Sequence, residues 1–196
     1  MTRGKFINLL GINNLGKSTQ AKLLVENLQN YGLKAEYLKY PIYDLEPTGP
    51  QINEILRSGK KQELSEEELQ KIYAQNRQDY QPELETKLSK GINIVAEDYV
   101  GTGLAWGVAK GADLNVLLKQ NEGLIKGDIA ILLDGERFTE AKEEKHIHEQ
   151  NDELMKRCRQ VHLDLAKKYG WKIVNANQSV EKVSQDIWQE IEKTLS

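Results

Sequence analysis

Gly11, Gly16, Lys17 and Ser18 are spaced as glycine, four residues, glycine, lysine, serine within the stretch GINNLGKSTQ. That spacing suits the gripping of a polyphosphate. Glycines allow a tight turn that aims several backbone N–H groups at one point, and a following helix adds its N-terminal donors. Lys17 would reach the outer phosphates as a point charge, Ser18 would ligate Mg²⁺, and Thr19 would donate to the α-phosphate. The competing reading is a chance glycine-rich turn. The interior of the loop holds two neutral amides, Asn13 and Asn14, and no charged residue. The pattern points to a nucleoside-triphosphate binder and leaves the second substrate open.

Further along, Glu97-Asp98-Tyr99 follows the apolar run INIVA (92–96). A carboxylate at the end of a buried strand can hold the water around Mg²⁺ or orient an attacking oxygen. Strand alternation would send Glu97 and Asp98 to opposite faces, which makes Glu97 the candidate for metal and catalysis. A solvated acidic turn is the alternative. Tyr73 and Arg77, four apart on an expected helix, share a face. They could stack on a base and pair with its oxygen or with a phosphate, although a core tyrosine beside a surface arginine is the more common outcome for such a pair. The charged segment 137–150 carries Arg137, Lys142, Lys145, His146 and His148. It suits a flap over phosphates or a solvated loop. Its two histidines lack the further ligands of a closed metal site.

The elements that must position these groups alternate along the chain. Strands are expected at 6–10, 34–40, 92–96, 129–133 and 172–174. Helices are expected at 17–31, 51–57, 69–80 (capped by Ser65 and its following acids), 82–90, 104–110, 113–118, 152–169 and from the NQSVEKV segment to about 193. Five strands alternating with helices predict an α/β domain with a parallel sheet covered on both faces. With the sheet's carboxyl edge as the ligand edge, the phosphate loop and Glu97 would meet there.

Composition narrows the field. The chain has 196 residues, the length of one compact domain, and a formal net charge of -3, which argues against broad electrostatic binding of nucleic acid. No apolar run is long enough for a membrane span or a signal peptide, so a cytoplasmic protein is expected. The single cysteine, Cys158, has no partner for an internal disulfide and reads as buried and inert.

Taken together, GINNLGKSTQAKLLVENL, YPIYDLEPTG, IYAQNRQDY, INIVAEDYVGTGLAWGVAKG and the segment from IHEQNDELMKRC to NANQSVEKV resemble the thymidylate kinase family of nucleoside monophosphate kinases over nearly the whole chain. The resemblance implies one P-loop kinase domain spanning 1–196 with a lid at about 135–150. It implies the reaction of ATP-Mg²⁺ with dTMP to give ADP and dTDP, and a homodimer. By position it assigns the ATP phosphates to Lys17, Ser18 and Thr19, with Asn13, Asn14 and Gly16 in the loop, and the adenine to Ala176 and Asn177. It assigns thymine stacking to Tyr73, base or phosphate contact to Arg77, and the nucleoside pocket to Pro41, Tyr99 and Thr102. Glu149 is its lid glutamate.

The chain departs from the family's pattern at the acceptor end. Asn13 stands where an aspartate is usual, and Asn14 where some members carry arginine. Ile42 and Tyr43 occupy the place of the arginine that grips the acceptor phosphate. Glu97 and Asp98 replace the aspartate and arginine of an Asp-Arg-Tyr motif, and His146 replaces a lid aspartate. Three readings stay open: a thymidylate kinase with lid cations supplying the missing charge, a kinase of another nucleoside or nucleotide, and a degenerate ATP-binding relative.

Overall fold

The computed structural model describes residues 2–57, 64–136 and 152–195. Its centre is a five-stranded parallel sheet in the order β2-β3-β1-β4-β5. The strands are β1 (Phe6–Leu10), β2 (Ala35–Lys39), β3 (Asn93–Glu97), β4 (Ile129–Asp134) and β5 (Lys172–Asn175). Every residue of β1 and β3 is buried, as expected of central strands covered on both faces. Phe6, Ile94 and Ala96 share a core cluster with Leu84 and Leu88. Ile7, Leu9, Val95 and Ile131 join the larger cluster that contains Leu24 and Ile187.

The helices are α1 (Lys17–Asn30), α2 (Thr48–Arg57), α3 (Glu66–Ser89), α4 (Val100–Ala109), α5 (Leu114–Gln120), α6 (Asp152–Tyr169) and α7 (Val180–Glu192). The start of α3 follows from sequence chemistry. Ser65 accepts from the Glu68 N–H while the Glu68 carboxylate accepts from the Ser65 N–H, a complete capping box. Asp113 caps α5 by accepting from the Asn115 and Val116 N–H groups, and Ser179 caps α7 by accepting from the Lys182 N–H.

Three expectations about helices are corrected. The two expected at 69–80 and 82–90 are a single helix of 24 residues that runs through Pro82. Both Pro82 and Gln78, whose carbonyl loses its intrahelical donor, are exposed, so water can satisfy that carbonyl. α2 begins at Thr48 rather than at 51, since a proline in the first turn has no N–H to lose. α4 begins at Val100 rather than at 104. Its glycines disguise it: a Cβ at Gly101 would lie 2.7 Å from Leu10 and Trp171 side chains, so close packing decides that residue. Among the described residues no helix is long and apolar enough to cross a membrane.

Two features of this frame set the site. β3 lies beside β1 in a register that pairs Leu9 with Glu97, and the Asp98 N–H continues the ladder to the Leu9 carbonyl at 3.2 Å. The acidic end of β3 therefore abuts the loop that leaves β1.

Candidate active site

The loop from Gly11 to Gly16 turns on residues in the left-handed region, Asn14 at φ 62° and Gly16 at φ 76°. Gly16 caps α1 without any side-chain hydrogen bond, and the first turn of α1 holds no acidic residue. Its N–H donors are therefore left to an external anion. Asn14 Nδ2 is buried with no hydrogen-bond partner among the described residues, another donor in the loop. Lys17 is 5% exposed; its Nζ donates to the Ile12 carbonyl at 2.8 Å and lies 3.6 Å from Asp98 Oδ1. These features fit a polyphosphate.

Glu97 is buried at the end of β3 and gathers three donors. Ser18 Oγ donates to it at 2.9 Å, Lys39 Nζ lies at 3.1 Å, and the Tyr37 hydroxyl donates to its other oxygen. Burial alone would raise this carboxyl. The Tyr37 hydroxyl, Lys39 and Lys17 outweigh it and hold Glu97 below the usual carboxylate range. Asp98 is moved the other way, upward, first by burial, with Glu97 adding repulsion and Lys17 opposing.

The expected split of these two acids across the sheet does not occur. Asp98 sits at φ 58°, in the left-handed region. That breaks strand alternation, and both carboxylates line the same cleft. Thr102 Oγ1 donates to Asp98 Oδ1 at 3.1 Å. Ser18 and Glu97 suit a divalent cation that takes only a few protein oxygens and completes its shell with phosphate and water. No cluster of three or more His, Cys, Asp or Glu side chains able to hold a metal occurs among the described residues.

The cleft has a volume of about 480 Å³ and continues from the phosphate loop to Pro41, Tyr73, Arg77, Tyr99 and Thr102. Arg77 is a buried residue, 5% exposed. Its Nη1 donates to Asn121 Oδ1 at 3.0 Å and its Nη2 to the Tyr99 carbonyl at 3.4 Å, while Nε has no partner among the described residues. Burial lowers its pKa, against neighbouring tyrosines and Asp98. Tyr99 packs edge-on against Phe6 and tilted against Tyr40. Gly103 leaves room for the guanidinium, since a Cβ there would lie 2.6 Å from Arg77 Nη2.

The structure does not bring Ala176 and Asn177 into this cleft. They follow β5, where the Ala176 N–H donates to the Asp134 carbonyl at 2.7 Å. The Asn177 amide is spent on the backbone of Glu136, donating to its carbonyl at 2.7 Å and accepting from its N–H at 2.6 Å. Glu149, with the rest of the expected lid from 137 to 150, lies outside the described residues.

Several residues at the site gave no sequence signal. Tyr37 and Lys39 lie on β2 and reach Glu97 only because β2 pairs with β3 in a register that sets Lys39 beside it. Asn76 is fully buried and holds the Ile42 backbone at both ends, accepting from its N–H at 2.8 Å and donating to its carbonyl at 3.0 Å. Glu66 and Lys110 form an ion pair of 2.9 Å in the wall of the cleft. Proximity of Asn76 to Arg77 was the one available hint.

The sequence model of the family described as "Thymidylate kinase" matches residues 10–187. The thymidylate kinase of Homo sapiens is 31% identical over 190 residues, covering 94% of this chain and 88% of its own length. That of Plasmodium falciparum is 30% identical over 199 residues, covering 97% and 91%. A solved structure of thymidylate kinase from Candida albicans superposes with a TM-score of 0.81 at 24% identity, covering 98% of this chain and 92% of its own; it speaks for the fold alone.

Proposed function

The chain belongs to the thymidylate kinase family, and from that membership we propose that it transfers the γ-phosphoryl group of ATP to dTMP, giving ADP and dTDP. The observation that carries this reading is the continuity of the cleft. A built anion site at Gly16, Lys17, Ser18 and Thr19 and an aromatic–guanidinium pocket at Tyr73 and Arg77 open into one space. A triphosphate gripped at the loop and a monophosphate carried by a base in the aromatic pocket would meet in that space, and phosphoryl transfer is catalysed mainly by such positioning and by local charge.

In this reading Lys17 and the backbone of the loop, with Asn13 and Asn14, hold the triphosphate. Ser18 and Glu97 hold Mg²⁺, which when bound neutralises phosphate charge. Tyr73 stacks on the base, Arg77 donates to it, and Pro41, Tyr99 and Thr102 wall the nucleoside pocket. Glu97, kept ionised by Lys39 and the Tyr37 hydroxyl, also orders the reacting groups. The chain works as a single kinase domain, 1–196, with a lid at about 135–150 that carries Glu149. Ala176 and Asn177 form an adenine-side wall, with Asn177 acting through its bracket to Glu136. A homodimer in the cytoplasm accords with the family.

The test is a coupled ADP-release assay with ATP, Mg²⁺ and dTMP, run beside thymidine and other nucleotides with products read by mass spectrometry. Formation of dTDP above the no-enzyme rate supports the reading. Stabilisation by ATP-Mg²⁺ with no turnover of dTMP would overturn it.

A further inference from the structure

Among the described residues five cations line the cleft: Lys17, Lys39, Arg57, Arg77 and Lys110. Each lysine stands within ion-pair distance of a carboxylate. Lys17 is 3.6 Å from Asp98, Lys39 is 3.1 Å from Glu97, and Lys110 is 2.9 Å from Glu66. Arg77 is spent on neutral oxygens deep in the wall. Arg57 differs from all four. It is the last residue of α2, exposed at the rim of the cleft, and has no carboxylate within ion-pair distance among the described residues. Its guanidinium carbon lies 5.7 Å from the centroid of the Tyr43 ring.

On the proposed dTMP kinase reading, we propose that Arg57, seated on the Tyr43 ring, is the ligand that this cleft provides for the phosphate of the acceptor. A guanidinium drawn toward an aromatic ring by its charge spends no N–H donor there, so its fork of donors stays open and matches two phosphate oxygens. A lysine on the same ring would offer only a point charge. Tyr43 is itself a fixed platform: the preceding residue, Ile42, is clamped at its N–H and its carbonyl by the buried Asn76. The loop that carries it leaves the carboxyl end of β2, on the ligand edge of the sheet. A monophosphate entering this cleft meets two carboxylates, Glu97 and Asp98, so its charge has to be met by a cation not already paired with an acid. Among the described residues Arg57 and Arg77 meet that condition; Arg77 is held in the wall by Asn121 and the Tyr99 carbonyl, so the exposed Arg57 is the one proposed, and it comes from a different element than the loop it completes.

The experiment compares wild type with R57Q, R57K and Tyr43→Leu by calorimetric titration of dTMP, thymidine and ATP-Mg²⁺. Arg57 is exposed, so its replacement leaves the core intact; thermal denaturation verifies this. R57Q is expected to weaken dTMP binding about tenfold or more and to leave thymidine and ATP within about twofold. R57K is expected to recover part of the loss, and Tyr43→Leu to reproduce part of it. Unchanged dTMP affinity in R57Q overturns the proposal, as does an equal loss for dTMP and thymidine. Wild type that binds ATP and thymidine but discriminates against dTMP overturns it together with the dTMP kinase reading. Normal dTMP turnover by an unaffected R57Q overturns this proposal alone.

Discussion

Ser18 Oγ donates to Glu97 Oε1 at 2.9 Å, so the first turn of α1 and the last residue of β3 meet through one hydrogen bond. The two residues are 79 positions apart in sequence, and the β1–β3 register brings them together. Glu97→Gln keeps the shape and an acceptor for Ser18 but removes the charge that Lys39 and Lys17 face. Loss of a charge positioned for phosphoryl transfer is expected to lower kcat about 100-fold or more, with little change in the KM for dTMP. Steady-state kinetics check this; wild-type kcat in the variant would remove Glu97 from the chemistry.

Asn76 predicts a coupled loss of stability and acceptor binding. Its amide donates to both the Ile42 carbonyl and Thr48 Oγ1 at 3.0 Å and accepts from the Ile42 N–H. Asn76→Ala leaves those groups without their partner, at a cost of about 2–3 kcal/mol. Urea denaturation measures the loss. The loop that carries Tyr43 loses its clamp as well, so the KM for dTMP should rise while that for ATP stays near wild type.

His162 predicts a pH dependence. The residue is 1% exposed. Its Nδ1 lies 2.9 Å from the Cys158 carbonyl, which can only accept, so Nδ1 carries the proton and Nε2 is left as an acceptor with no partner among the described residues. Burial pushes the folded pKa down to about 4 from 6.5, with the Cys158 carbonyl opposing and Lys17 adding. The unfolded chain then binds this proton first as the pH falls. Stability from this group is intact above about pH 6.5 and is lost progressively down to about pH 4, amounting to about 3 kcal/mol. His162→Gln should flatten the urea-measured stability between pH 7 and pH 4.5 relative to wild type. Parallel curves for the two proteins would refute it.

The sheet, its five strands and the phosphate loop were legible because each rests on local signals: apolar runs, glycine spacing and caps such as Ser65. The phosphate-loop end of the cleft was legible for the same reason, since Gly16, Lys17 and Ser18 are adjacent. The other end of the cleft is assembled from α2, α3, α4 and the loop after β2, and no local pattern reports that Arg57 meets Tyr43 or that Asn121 meets Arg77. Asp98 misled because alternation presumes extended backbone, and its left-handed φ turns its side chain to the cleft. Pro82 misled because a helix can run through a proline on an exposed face, where water reaches the carbonyl that loses its donor.

Gly103 gives the sharpest separation of geometry from stability. A Cβ at this position would lie 2.6 Å from Arg77 Nη2 and 3.1 Å from Gln70 Oε1. Arg77 cannot swing freely aside, because Asn121 and the Tyr99 carbonyl hold its two ends. Gly103→Ala should therefore displace the guanidinium and raise the KM for dTMP by about tenfold, with the KM for ATP unchanged. Alanine in mid-helix recovers about 0.5–1 kcal/mol of backbone entropy, so thermal stability should fall little even as acceptor binding weakens. Adding Asn121→Ala releases one end of Arg77, and the double variant should lose less than the sum of the two single losses. Strict additivity, or an unaltered KM in Gly103→Ala, would show that the guanidinium's position does not govern acceptor binding.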